Sequence, residues 1–254
     1  QFGAIGLRDD AAILPVRTLS NLVISNDALV EGVHFRGDET AELIARKALR
    51  TNLSDLAAMG SKPLVYTLAL VIGGNQLGDI DTWLRGFVNG LKKDQKEFNI
   101  ELIGGDSVTA PGPTTISIVI FGELGPLGAL FRSNAQIEDD VFVSGTIGDA
   151  AIGLKSLEKK ITSISDKHID FSVQRYLLPS PRVELGLALG GVASSAMDIS
   201  DGLVQDLNHI CSESGVGASI MWEDIPLSKT AQKLLDEGIY LKDTILNGGD
   251  DYEI

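Results

Sequence analysis

At 254 residues, 44% of them hydrophobic, the chain holds enough apolar material for one large cored domain or two ordinary ones, which excludes a disordered or fibrous protein. Its 35 acidic against 21 basic residues leave a formal net charge of −14, which argues against nucleic acid or an anionic membrane surface as partner. Phosphates handled by so acidic a chain must arrive with cations, and magnesium, which prefers hard carboxylate oxygens, is the natural one.

In chain order, no charged-then-apolar leader is visible at Gln1, so a cytoplasmic protein is expected. The acid pair Asp9 and Asp10 precedes "AAIL". The stretch "LVISNDALVEGVHF" (22–35) opens as a strand, "LVIS", and then presents Ser25, Asn26, Asp27, Glu31 and His34. From Thr40 to Met59, Leu43, Ile44, Lys47, Ala48 and Leu49 recur at helical spacing, and Gly60 with Pro63 closes the helix. "PLVYTLALVIGG" reads as a core strand, since its apolar run is far short of the roughly 20 residues that span a bilayer. "DIDTWLRGFVNGLKKDQKEF" is an amphipathic helix with Ile80, Trp83, Leu84, Phe87, Val88 and Leu91 on one stripe, and "IELIGGD" and "TTISIVIFGEL" are two more strands.

The Gly- and Pro-bearing stretch 123–140 is the best candidate for a boundary between two lobes. Beyond it "DVFVSGTIGDAAIGLKSLEKK" predicts strand, glycine turn and helix, with Asp149 as the helix cap. Residues 162–172 predict a loop, "SPRVELGLALGG" a helix, "SSAMDIS" a short strand or turn, and "DGLVQDLNHICSESG" a helix. Cys211, the only cysteine, allows no internal disulfide and no four-cysteine zinc site, and reads as a small core residue. "ILNGGDDYEI" stops at Ile254 inside a strand-like segment, so a truncated chain is expected. Strands mixed with helices in both halves predict an α/β or α+β protein of two lobes.

Acidic residues recur just after apolar segments or at glycine turns: Asp27 after "LVIS", Asp106 after "LIGG", Asp198 and Asp201 around "MDISDG", Asp250 and Asp251 after "NGG", with Asp55 on the first helix. Any single one is most simply a turn or helix cap. The repetition points instead to a functional cluster. Two carboxylates about 4 Å apart repel by roughly 4 kcal/mol at an effective dielectric of 20, so a converging group needs ions, and magnesium would also bridge it to polyphosphate. Familiar nucleotide motifs do not account for the pattern. Gly73 and Gly78 have P-loop spacing, but Asp79 stands where the lysine belongs, and "GVGASI" lacks the third glycine of a dinucleotide fingerprint. His34, His168 and His209 are too few and too scattered for a zinc triad, and there is no G-x-S-x-G elbow. His34 keeps its interest beside Asp27, with an ordinary surface or core histidine as the alternative.

The segments "RDDAAIL", "SNDALVEGVHF", "KALRTNLSDLAAMGSKP", "LIGGDSVTAPGP", "RSNAQIEDDVFVSGTIGDAAIGL", "LLPSPRVELG", "SSAMDISDGLVQDLNHI" and "NGGDDYEI" together resemble the thiamine-monophosphate kinase family, of the aminoimidazole ribonucleotide synthetase-like superfamily. The likeness covers almost the whole chain. It implies ATP-dependent phosphorylation of thiamine monophosphate to thiamine diphosphate by direct in-line transfer, with several magnesium ions and no phosphoenzyme. It also implies a homodimer: an N-terminal lobe, residues 1–126, would bind ATP and metal and pair its sheet with a twofold mate into a barrel, and a C-terminal α/β lobe, residues 127–254, would pack beside it. Carried over by position, the metal ligands are Asp10, Ser25, Asn26, Asp27, Asp55, Asp106, Asp198 and Asp201, with Asp27 and Asp55 at the catalytic centre. His34 and Asp250 match substrate contacts, and Gly105, Asp106, Arg132 and Ser200 match ATP contacts. Three positions depart from the family pattern: Arg8 replaces a glycine, Asn26 a threonine, and Asp250 a glutamate one methylene longer. The alternatives are another ATP-dependent synthetase or maturation enzyme of the superfamily, a magnesium-nucleotide-binding protein without turnover, and an acidic globular protein with capped turns.

Overall fold

The computed structural model describes residues 12–14, 21–73, 79–161, 166–239 and 241–254. Among them lie five strands, β1 (Ala12–Leu14), β2 (Leu22–Val30), β3 (Ser61–Gly73), β4 (Glu101–Ala110) and β5 (Thr115–Leu124), and eight α-helices. The helices are α1 (Ala41–Ala58), α2 (Ile80–Phe98), α3 (Asp149–Leu157), α4 (Asp166–Leu177), α5 (Val183–Leu189), α6 (Leu203–Ser214), α7 (Lys229–Asp236) and α8 (Lys242–Asn247). The fold is therefore mixed α/β, as expected.

All five strands form one sheet in the order β1-β2-β5-β3-β4, antiparallel except for the parallel pair β3 and β4. Strand alternation decides its inner face. Val23, Ser25 and Leu29 of β2 and Ile116, Ile118 and Ile120 of β5 are buried, whereas Asn26 and Ala28 point the other way into solvent. On the inner face lies α1, which buries Ile44, Leu49, Leu53 and Leu56. The Thr40 hydroxyl caps it by accepting from the Leu43 N–H, and Gly60, at φ +65°, ends it in a conformation that suits glycine. Next to it, α2 crosses at Gly90, where a Cβ would stand 2.4 Å from the Glu42 carbonyl oxygen. Arg46 and Arg50 of α1 both pair with the fully buried Asp94 of α2. The edge strand β4 is exposed along nearly its whole length.

A second apolar cluster, including Ile147, Ile152, Ile199, Leu203, Leu234 and Ile245, lies among α3, α6, α7 and α8. The short α5 leaves that half to pack on α1, with Gly186 close against the Ala57 carbonyl.

Several expectations are corrected. β2 does not stop after Ser25 but runs to Val30, because β5 pairs with it along its full length. Residues 141–148 form no strand, nor do 250–254. Main-chain bonds tie Ser144 to Ile254 and Ile199 to Glu253 and Tyr252, but positive φ at Asp250 (69°) and Tyr252 (50°) breaks the extended geometry that a ladder requires. The loop expected over 162–172 is partly α4, whose buried positions include Ser172 and Arg175, so its core face is not apolar enough to read. Asp149 is the first helical residue of α3 rather than its cap. Asp251 caps that helix from the far end of the chain, accepting from Gly148 N–H (2.6 Å) and Ala150 N–H (3.2 Å). Asp149 is instead buried under the hydroxyls of Thr146, Ser172 and Ser228. Cys211 is only half-buried. Both α7 and α8 are additional to the elements expected from the pattern. No helix among the described residues is long and apolar enough to cross a membrane.

Candidate active site

Helix periodicity builds one wall. Lys47, Thr51 and Asp55 stand at i, i+4 and i+8, so they stack along one face of α1 and line a single cleft. β2 supplies the facing wall through Ser25 and Asp27, two residues apart on its inner face. The Ser25 hydroxyl donates to Asp55 Oδ2, and the Asp27 N–H donates to Asn52 Oδ1 at 3.1 Å. Asn52 is itself fixed by donating to the Ala48 carbonyl, so strand and helix are held in register at the carboxylates.

The second half of the chain closes the cleft. Asp198, buried, accepts from the Ser54 hydroxyl at 2.6 Å through Oδ2, while its Oδ1 has no hydrogen-bond partner among the described residues. Asp206, at the start of α6, accepts the N–H groups of Ser200, Asp201 and Gly202, each at 3.0 Å, and so shapes the loop that brings Ser200 and Asp201 to the cleft. At the other end, His34 Nδ1 accepts from the Val30 N–H (3.0 Å). Asp250 receives Lys47 Nζ at 3.0 Å and the Tyr252 hydroxyl at 3.3 Å. The cleft encloses about 200 Å³. A larger apolar groove of about 610 Å³ between residues 135–143 and α6 contains none of these groups.

Electrostatics make the cluster tense. Burial pushes the Asp55 carboxyl well above the ordinary range, repulsion from Asp198 and Asp27 pushes it further, and the Ser25 hydroxyl only partly opposes this. Asp198 is pushed up to about 6, mainly by burial; the Ser54 hydrogen bond and the Arg132 charge pull it down, and Asp206 and Asp27 push it up. Asp27 is raised by burial and by Asp201, against the pull of His34. Positive charge arriving among them would be stabilising.

The donor set fits magnesium in one specific way. Among the described residues, no three carboxylate, histidine or cysteine side chains close around a single point. Magnesium rarely requires that, since it is commonly held by one or two carboxylates and completed by water and phosphate oxygens. Hard oxygens carried by Asp27, Asp55 and Asp198, with Asp198 Oδ1 unpartnered among the described residues, suit that mode.

The other expected site residues are dispersed. Asn26 lies on the opposite sheet face, exchanging hydrogen bonds with Ser117. Gly105 and Asp106 are on the exposed strand β4 and outside the cleft. Arg132 sits in a short 3-10 turn, Arg132–Asn134, whose carbonyl accepts from Ser195 and Ser214; its charge reaches Asp198. Asp10, with Arg8, lies outside the described residues. Lys47, Thr51, Ser54, Asp206 and Tyr252 join the site without having been singled out. Counting back one and two turns from Asp55 would have found Thr51 and Lys47.

An acidic cleft between a strand and helix of one half and the loops of the other defines a class of fold, and comparison identifies it: residues 8–124 match the family described as AIR synthase related protein, N-terminal domain. The thiamine-monophosphate kinase of Escherichia coli K12 is 41% identical over 252 residues, 98% of this chain and 75% of that protein. A crystal structure of the thiamine-monophosphate kinase of Stenotrophomonas maltophilia superposes with a TM-score of 0.84 at 39% identity, covering 96% of this chain and 77% of that one. A structure described as "AaThiL complexed with AMPPCP and TMP" superposes with a TM-score of 0.88 at 31% identity, covering 97% and 77%. The chain belongs to the thiamine-monophosphate kinase family.

Proposed function

We propose that this chain transfers the γ-phosphoryl group of ATP to thiamine monophosphate, giving thiamine diphosphate, by direct in-line displacement. The observation that carries the reading is the convergence of Asp27 and Asp55 with Asp198 and Asp201 in one cleft that also holds His34 and Asp250. A relative of the same fold, 31% identical, was solved with the ATP analogue AMPPCP and TMP. The acceptor brings its own attacking phosphate oxygen, so the protein must mainly position two anions and neutralise them.

In this reading Ser25, Asp27, Asp55, Asp198 and Asp201 would hold magnesium, with Asp10 and Asp106 added from the set that the family resemblance implies; Asn26, on the opposite sheet face, drops out of that set. Bound magnesium neutralises the polyphosphate and the charge that develops during transfer. Ser200 and Arg132 serve the nucleotide, and the guanidinium of Arg132 is well shaped for a phosphate. His34 and Asp250 serve the acceptor.

The working form is a cytoplasmic homodimer of two-lobed chains, divided as 1–126 and 127–254. Two separate apolar clusters support the lobes. An exposed edge strand carrying Leu102, Ile103 and Val108 supports pairing of the sheets into a barrel, since such an edge invites another strand or sheet. Gly105 and Asp106 then act at that interface.

Phosphorus NMR with magnesium, ATP and thiamine monophosphate tests the activity. Thiamine diphosphate with matching ADP is the expected result. ATP left intact, or hydrolysed without that product, points to a binding protein or a synthetase of the same fold.

A further inference from the structure

Lys47 occupies a position that the reaction scheme above leaves unexplained. Its side chain is 4% exposed, although it lies on the cleft face of α1. A buried ammonium is costly unless its charge and its donors are met. Here three different parts of the chain meet them: the His34 carbonyl at 3.0 Å in the turn after β2, Asp250 Oδ2 at 3.0 Å near the end of the chain, and the ring of Tyr176 in α4, 3.8 Å from Nζ to the centroid. The two hydrogen-bonded partners belong to the two residues assigned to the acceptor.

Each partner needs holding. The His34 ring takes its direction from the Val30 N–H, and the turn that bears it includes exposed Gly32, Val33 and His34 itself. Asp250 has a left-handed backbone, φ 69°, which is uncommon outside glycine, and its other supports among the described residues are the Ser200 carbonyl and the Tyr252 hydroxyl. Lys47 is the group that touches both.

We propose that Lys47 is a positioning residue for the phosphate acceptor, clamping the His34 turn and the Asp250 carboxylate into one geometry and thereby setting acceptor affinity apart from nucleotide affinity. The proposal rests on the kinase reading for its substrate and on the contacts alone for the clamp.

Lys47→Met keeps the length and the contact with Tyr176 while removing the charge and the donors. It should raise the KM for thiamine monophosphate about tenfold or more and leave the KM for ATP within about twofold, with Lys47→Arg recovering part of the loss. Hydrogen exchange should rise about tenfold in residues 31–36 and 248–252 and stay unchanged in the sheet. An unchanged acceptor KM, or an equal rise in both KM values, overturns the proposal, as does unaltered exchange in both segments. Should Lys47→Met not fold, Lys47→Gln, which removes the charge and shortens the reach to both partners, is judged by the same two measurements. If the wild-type chain forms no thiamine diphosphate, the kinase reading falls and the exchange pattern alone decides the clamp.

Discussion

Asp55 concentrates the electrostatic tension of the cleft in one side chain. It is repelled by Asp198 and Asp27 and stabilised directly by the Ser25 hydroxyl. Asp55→Asn keeps an acceptor for that hydroxyl and removes the repulsion, so thermal stability should hold or rise while phosphoryl transfer falls by about 10²-fold or more. Turnover at the wild-type rate in this variant would remove Asp55 from the catalytic centre. Asp251 shows a different use of a carboxyl, as the cap of α3. Burial outweighs its two N–H bonds and the Arg175 charge and pushes it up to about 7. An unfolded aspartate titrates near 3.9, so from about pH 4 to 7 the folded chain keeps a proton that the unfolded chain has released. The stability contributed by this group is full below that window and is lost as pH rises through it. Asp251→Asn should therefore lose less urea resistance than wild type between about pH 4.5 and pH 7.5; equal losses would show that this carboxyl does not drive the pH dependence.

At the level of elements, the pattern was readable where burial and period coincide. α1 and β5 carry their apolar residues at 3.6 and 2 residue spacing and β3 as one nearly unbroken run, and their places follow from it. α4 escaped because its inner face is built partly from Ser172 and Arg175, each satisfied by a partner more than twenty positions distant in sequence: Asp149 for one, Asp251 and Glu253 for the other. The site was divided in the same way. Asp27, Asp55, Asp198 and Asp201 stood out as acids near apolar segments, whereas Lys47 looked like one polar residue within a helical stripe. β2 also shows how the pleat sorts neighbours: Ser25 and Asp27 face the cleft, and Asn26 between them cannot. The crossing of α1 and α2 offers a direct check. Gly90→Ala forces a methyl against the Glu42 carbonyl and should cost about 1–3 kcal/mol in urea denaturation. Gly86→Ala meets Ala41 Cβ at 3.3 Å and Glu42 N at 3.8 Å, and the gain in helix propensity should leave it near neutral.

For the whole molecule, charge and surface lead to two further measurements. A net charge of −14 with carboxylates gathered in one cleft should make magnesium with ATP raise the melting temperature, and Asp198→Asn should weaken that rise. The exposed apolar residues of β4 bear on assembly. Sedimentation should give twice the 27.0 kDa chain mass, and Ile103→Lys, which puts a charge on that strand, should shift it to the single-chain mass. A single-chain mass in the wild type would remove the paired-sheet dimer.

By itself the sequence determined the mixed α/β class, most of the first-half elements and the acidic character of the site, because those depend on local periodicity and on residues that declare their chemistry at strand ends and glycine turns. Only the tertiary structure decided which acids meet. Asp55 and Asp198 are 143 positions apart, and Lys47 and Asp250 are 203; such pairs form because α1 is buried between the sheet and the second half, a consequence of packing that no local window contains. The same packing withdraws water from the carboxylates, and that desolvation turns a list of ordinary acids into a cleft that favours cations.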